Sequence, residues 1–288
     1  MKKLLSLALI GMMTFSMVAC GSTSATTESE EVVATEEVVE EEVVEEEVVE
    51  EAVEEEVVLD ASVLEGALIG VQLGTTGDIY CTDEFGDENI ERYNKGYEAV
   101  QALLQGKIDA VVIDDQPAAA FVEANEGLIL LDTPYTEEQY ALCIEKENTD
   151  LVTAIDAAID ELKTNGTFDA IVDYYINDNT EIGRYVSPEG IEYTGEIIMA
   201  TNAEFPPYEY KDGDEIIGLD ADFARAIADI LGYELVIEDM AFDSIIAAVS
   251  SGKADFGAAG MTVTEERLAQ INFSQSYYTG KQAIIIAE

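Results

Sequence analysis

Read for hydrophobic and polar positions alone, the chain divides into three stretches. An apolar run from Leu4 to Val18 follows Met1, Lys2 and Lys3. It is short for a bilayer span and has the layout of a secretory signal. Residues 21–59 open with Ser and Thr and then repeat Val-Val-Glu-Glu-Glu with small variations. That spacing keeps no single face on a helix and changes faces on a strand, so no core forms from it. Its adjacent glutamates repel, predicting an extended solvated tether of at most about 130 Å. A cation-collecting or wall-interacting role is the alternative for this stretch.

From about residue 60 the pattern becomes that of an α/β protein. Leu68–Leu73, Ala110–Ile113 and Leu128–Leu131 read as buried strands, separated by helical stretches at Tyr97–Gln105 and Pro117–Ala124. The apolar run Tyr140–Ile144 precedes a long amphipathic helix with Leu151, Ile155, Ile159 and Leu162 on one face. Gly166 interrupts it, and a second helix carries Phe168, Ile171, Val172 and Tyr175. Residues 178–195, rich in Asn, Asp and Gly with Pro188, form a connector. Beyond it come a strand at Ile197–Ala200, a helix at Asp222–Leu231, a strand at Glu234–Ile237, a helix at Asp243–Ser250, and strands near Phe256 and Ala283–Ile286. Val100–Ile113 and Ile246–Ala259 echo each other as helix, Gly-Lys, Asp, strand, as two lobes built on one local plan would.

Composition narrows the function. The 288 residues include 62 acidic and 13 basic side chains and no histidine, for a formal charge of −49. Such a chain repels phosphate backbones and anionic lipid, which argues against nucleic-acid binding and charge-driven membrane docking. Lack of histidine removes the commonest general base and zinc ligand, and no metal site or cofactor is expected. Cys20 follows Met17, Val18 and Ala19 in a lipobox-like context, so cleavage before it would leave a lipidated N-terminus. Cys81 and Cys143 read as buried free thiols rather than a disulfide.

The most informative residues are Ala200–Tyr210 (Ala-Thr-Asn-Ala-Glu-Phe-Pro-Pro-Tyr-Glu-Tyr), Ala241–Ile245 and Ala259–Arg267. Together they resemble the amino-acid-binding members of the type 3 extracellular solute-binding proteins of ABC transporters, a resemblance running over most of residues 62–288. It implies a two-lobed periplasmic-binding-protein-like (type II) fold that closes by a hinge over a free amino acid. A permease partner, the outer face of the cytoplasmic membrane or the periplasm as location, and no enzymatic activity are implied with it.

The residue types suit that task, because a buried zwitterion needs a fixed cation, a fixed anion and donors. Arg267 offers a planar fork for a carboxylate, with an ion pair to Glu265 or Glu266 as the alternative. The resemblance places Gly260, Thr262 and Arg267 on the α-carboxylate and α-amino group from one lobe, and Thr75 and Thr76 on the carboxylate from the other. It places Asp115 on the ammonium, where a helix cap is the competing role. Phe205 and Phe242 match aromatic walls around the ligand side chain, with ordinary core packing as the alternative. Asn202 and Gln72 match specificity positions, and a neutral amide at Asn202 points to a polar uncharged ligand. A ligand-sensing receptor component, or a dehydratase-like enzyme with Glu204 as its acid, are the rival readings.

The chain departs from the family in the order of its segments. The family begins with the segment corresponding to residues 200–288, continues with that of 70–131, and ends with the long helices. The rotated order here resembles a circular permutation, and a fragment of a tandem gene is the competing account. On this reading residues 1–20 are signal and lipobox, 21–59 tether, 60–140 lobe 2, 141–146 a hinge strand and 147–288 lobe 1, with 178–195 joining the old ends and 282–288 a second hinge strand. A single covalent crossing between lobes is then expected, leaving them freer to separate or exchange between chains.

Overall fold

The computed structural model describes residues 60–288; the signal, the Cys20 lipidation site and the tether lie outside the described residues. The elements in chain order are β1 (Ile69–Gln72), α1 (Thr76–Phe85), β2 (Ile90–Tyr93), α2 (Gly96–Leu104), β3 (Ala110–Asp114), α3 (Asp115–Ala124), β4 (Leu128–Leu130), β5 (Thr136–Tyr140) and β6 (Cys143–Ile144). They continue with α4 (Thr149–Thr164), α5 (Thr167–Tyr175), β7 (Glu196–Thr201), β8 (Glu204–Phe205), β9 (Glu209–Asp212), β10 (Glu215–Ile217), α6 (Leu219–Leu231) and β11 (Glu234–Asp239). The last are α7 (Ile245–Ser250), β12 (Phe256–Gly257), α8 (Glu265–Gln270), β13 (Asn272–Phe273) and β14 (Tyr278–Ala287).

One lobe is built on a sheet ordered β2-β1-β3-β14-β4, with β5 also paired to β14. The other is built on the sheet β11-β7-β12-β6-β13, beside the small antiparallel sheet β10-β9-β8. The first sheet is apolar on both faces, which is why its strands read as continuous runs. Ile69, Val71, Val112 and Ile284 pack to one side, while Val111, Ile113, Ala283 and Ile285 pack to the other. In the second lobe α4, α5 and α6 pack on one another, their inner faces filled by Ile155, Ile159, Phe168, Ile171, Phe223 and Ile227.

The echo between the lobes has a structural counterpart. The Asp109 carboxylate accepts from Leu68 N at 2.8 Å and the Asp255 carboxylate from Ile198 N at 2.7 Å. The amides of the same aspartates donate to the carbonyls of Leu68 and Ile198. In each lobe an Asp after a Gly-Lys turn thus clips the start of the neighbouring strand.

The junction differs from the sequence expectation. β14 is not a hinge strand of the second lobe; it runs between β3 and β4 inside the first lobe's sheet, in register Ile284 to Val112 and Ile285 to Leu130. The backbone therefore crosses between lobes twice, at Ala141–Leu142 between β5 and β6 and at Ser274–Tyr277 between β13 and β14. The two crossings run side by side, with Tyr277 N donating to Tyr140 O and Ser274 N to Leu142 O, each at 2.9 Å. Paired crossings restrain the lobes more than the single one expected from segment order. The connector 178–195 stays within the second lobe, where Arg184 bonds Asp222 and Glu215 and the hydroxyls of Tyr185 and Tyr193 reach Asp229.

Candidate functional site

A narrow cavity lies between the lobes, walled by Gln72, Thr75, Thr76 and Asp114 from one and by Asn202, Phe205, Glu209, Phe242, Gly260 and Arg267 from the other. Three contacts close across it: Gln72 Nε2 to Asn202 Oδ1 at 2.9 Å, an Arg267 guanidinium N–H to Gly74 O at 2.9 Å, and the ion pair of Lys95 with Glu204.

Arg267 dominates the electrostatics. Thr264 caps α8 by accepting from Arg267 N, which fixes the arginine in the first turn. The side chain is 5% exposed and donates to the carbonyls of Thr262 at 2.7 Å and of Gly74. Its Cζ sits 5.4 Å from the centre of the Phe242 ring. No carboxylate among the described residues lies within ion-pair distance of it, so the surface pair with Glu265 or Glu266 does not form. Burial lowers its pKa against the pull of Glu138 and Asp114, and a guanidinium keeps its charge even so. A buried cation held only by carbonyls is the feature an anionic ligand group would complete.

The other walls follow from local structure. β1 ends at Gln72, and after Gly74 the hydroxyl of Thr75 donates to Gln72 O at 2.8 Å while Thr75 caps α1, so Thr75 and Thr76 face the cavity. Gly260 has a φ of +52°, and an added Cβ would stand 3.0 Å from the Phe205 ring, so a side chain there would collide with the aromatic wall. Asp220 accepts from Gly260 N at 2.8 Å and holds that loop.

Asp115, the expected ammonium partner, does not line the cavity. Its carboxylate accepts from the amide of Gln116 at 2.9 Å, and α3 begins at Asp115 itself. Asp114, one residue earlier at the end of β3, faces the cavity instead; side chains alternate along a strand, and only one of two neighbours can point there. Asp114 is 4% exposed and accepts from the Tyr140 hydroxyl. Burial, reinforced by Glu138, pushes it up to about 7. Thr262 is buried but turned away, its hydroxyl donating to Glu138 at 2.9 Å. Asn202 and Gln72 are committed to each other, and Asn202 also donates to Met240 O at 2.9 Å. Glu209 was not anticipated, although it stands inside the informative Ala200–Tyr210 stretch. An acid placed among the buried Phe205, Tyr208 and Ile217 was the signal available.

Both cysteines are free and buried, as expected, and burial pushes each thiol up to about 12. No metal-binding group of side chains and no helix long and apolar enough to cross a membrane occurs among the described residues.

Residues 197–288, which carry Asn202, Phe205, Glu209, Phe242, Gly260 and Arg267, match the family model of bacterial extracellular solute-binding proteins, family 3. The similarity to that family runs over this segment, about a third of the chain. The two α/β lobes around a cleft agree with the two-lobed periplasmic-binding-protein fold that the sequence led us to expect. Among similar proteins, the arginine-binding extracellular protein ArtP of Bacillus subtilis (strain 168) is 45% identical over 31% of this chain and 35% of its own length. The arginine-binding protein ArgT of Corynebacterium glutamicum is 36% identical over 33% of this chain and 32% of its own. The arginine-bound form of domain 1 from TmArgBP, a solved structure, is 35% identical over 33% of this chain and 81% of that one, with a TM-score of 0.29. The chain thus spans about a third of the length of the curated relatives it matches.

Proposed function

We propose that this chain binds a free amino acid in the cavity between its lobes and delivers it to the permease of an ABC transporter, from the outer side of the membrane. The observation that carries this is Arg267, a buried guanidinium with no carboxylate partner among the described residues, opening on a cavity whose opposite wall holds Asp114. A zwitterion fits both: its carboxylate replaces the Gly74 carbonyl at Arg267, with Thr75 and Thr76 as further donors, and its ammonium meets Asp114. Phe205 and Phe242 contribute rigid apolar walls for the side chain. Relatives named for arginine binding support the ligand class. The family and these relatives are binding proteins of transport systems rather than enzymes, and Glu204, the acid a dehydratase would need, is held by Lys95. Lipidation of Cys20 and a solvated tether complete the reading, placing the lobes at the membrane surface with reach toward the permease.

We also infer that the family's segments are rotated in this chain. Support comes from the family match falling on residues 197–288, after the residues that build the first lobe and the long helices, and from the two complete sheets that result. Isothermal calorimetry of the full chain against the standard amino acids tests the function. Reversible binding of at least one, with the ligand recovered intact, is expected. Absence of binding by all of them, or turnover of the ligand, overturns it. A chain rearranged to run from residue 196 to 288 and then from 62 to 177 tests the rotation: the same ligand preference is expected, and failure to fold counts against it.

A further inference from the structure

The geometry points to Tyr140 as a positioning residue: its hydroxyl, carried across β14 over Gly280, aims the Asp114 carboxylate at the ligand's ammonium and ties that anchor to the hinge. The inference rests on the amino-acid-binding reading above and adds a residue that stands behind the cavity wall rather than on it. Tyr140 ends β5, on the far side of β14 from Asp114: Gln282 of β14 pairs with Asp114 on one side and with Thr136 of β5 on the other. Tyr140 itself stands opposite Tyr278, so its side chain must cross β14 to reach the end of β3. Gly280 opens that path. A Cβ added there would overlap the Tyr140 hydroxyl, so any residue but glycine would close the gap.

Backbone contacts fix the same residue to the hinge. Tyr140 immediately precedes the crossing Ala141–Leu142, and its carbonyl accepts from Tyr277 N of the second crossing at 2.9 Å. Val263 N donates to Gln139 O at 3.2 Å and Ala141 N to Met261 O at 3.0 Å, so the strand around Tyr140 also holds the loop that leads to Arg267. Its ring is fully buried, with Tyr208 of the second lobe edge-on at 5.4 Å between centroids and Tyr278 at 6.1 Å. One residue thus meets both poles of the site, the Arg267 loop through its backbone and Asp114 through its hydroxyl. A carboxylate accepts several hydrogen bonds, so Asp114 can hold Tyr140 with Oδ1 and still receive an ammonium.

The hydroxyl also bears on the charge of its partner. Facing Asp114 besides Tyr140 are Glu138 of β5, Asp115 of α3, Tyr80 of α1, and Tyr208, Glu209 and Arg267 of the second lobe. Burial first, then the charge of Glu138, push the Asp114 carboxyl up to about 7, and the Tyr140 hydroxyl pulls the other way. A hydrogen bond to the charged form favours that form. Without the hydroxyl, Asp114 would keep its proton to higher pH and meet an ammonium less often as a carboxylate. A tyrosine that only filled the core would have no such effect.

Calorimetry of the full chain and of its Tyr140→Phe variant, at about pH 6 and about pH 8.5, tests this with the standard amino acid that the wild type binds best; the ligand's own titration cancels between the two proteins. Tyr140→Phe is expected to bind about tenfold more weakly at the lower pH and within about twofold of the wild type at the higher one, where Asp114 is ionised in both. An equal loss at both values would make Tyr140 a packing residue, and no loss at either would leave its hydroxyl without a role; each result overturns the inference. If Tyr140→Phe fails to fold, 3-fluorotyrosine incorporated in place of Tyr140 is used instead, since fluorine makes the hydroxyl a stronger donor. It should raise affinity by about threefold at the lower pH and leave it unchanged at the higher one, and unchanged affinity at both is equally fatal. Binding of no amino acid by the wild type is the separate outcome that removes the functional reading and this inference with it.

Discussion

The guanidinium of Arg267 is taken out of water without an opposite charge, and its partners are two carbonyls, one of them contributed by the opposing lobe. Both carbonyls are weaker partners than a carboxylate, so a bound anion gains at this point what the empty protein lacks. Arg267→Ala is expected to abolish the thermal shift given by the best amino acid, and an unchanged shift would remove the carboxylate assignment. The pair Asp114 and Asp115 allows a sharper test, because the two carboxylates differ in direction and not in chemistry. Asp114→Asn should weaken amino acids by about tenfold or more, and their deaminated analogues far less, while Asp115→Asn should change either little. The reverse ranking in calorimetry would restore Asp115 as the ammonium partner. Choosing between them lay beyond the sequence: both are acids at a strand end, and the decision is made by the pleat of β3.

Among the elements, the connector 178–195 and α6 depend on each other most. Asp222 is fully buried in the first turn of α6 and is met by the Tyr175 hydroxyl at 2.8 Å and by the Arg184 guanidinium at 3.1 Å. Hydrogen bonds that Arg184 donates to Asp222 and Glu215 raise its pKa despite the cost of burial, so the charged arginine is favoured there. Arg184→Ala would leave a buried carboxylate with one donor. The pair is open to solvent on the arginine side, and a loss of about 2–3 kcal/mol is expected rather than the full cost of a sealed pair. Denaturant unfolding checks this, and a loss below about 0.5 kcal/mol would show the connector to be merely draped on the lobe. The helices were legible from their apolar spacing, and Gly166 stands between α4 and α5 as the sequence led us to expect. Short strands such as β8, β10 and β13 were not, since a few residues carry too little pattern to be told from a loop. The Asp109 and Asp255 clips lay behind a visible repeat, but their purpose appeared only with the neighbouring strand in place.

For the molecule as a whole, the buried carboxyls tie stability to pH. Burial raises Asp114 to about 7 and Asp220 to about 6, and Glu209 lies well above the ordinary range. In the unfolded chain these groups lose their protons near the usual carboxylate value of about 4. From there to about pH 7 the folded state binds more protons than the unfolded one, so the unfolding free energy falls as pH rises and levels off once the folded groups have ionised. Self-repulsion from a formal charge of −49 acts in the same direction. The ligand-free full chain should therefore melt at a higher temperature near pH 5 than near pH 8 at fixed ionic strength. A midpoint that climbs over that interval would mean that the raised carboxyls are relieved by groups or solvent in the unliganded state.

Local pattern was enough to establish the α/β alternation, the long helices, the connector and the stretch containing Arg267, because periodicity and residue chemistry act over a few neighbours. It could not say that the backbone crosses the junction twice, that β14 completes the first lobe's sheet, or that Asp114 and Glu209 line one cavity with Arg267. Those outcomes depend on strand register and on which lobe receives a strand. Both are settled by burying apolar faces between segments far apart in the chain, which no window along the sequence contains.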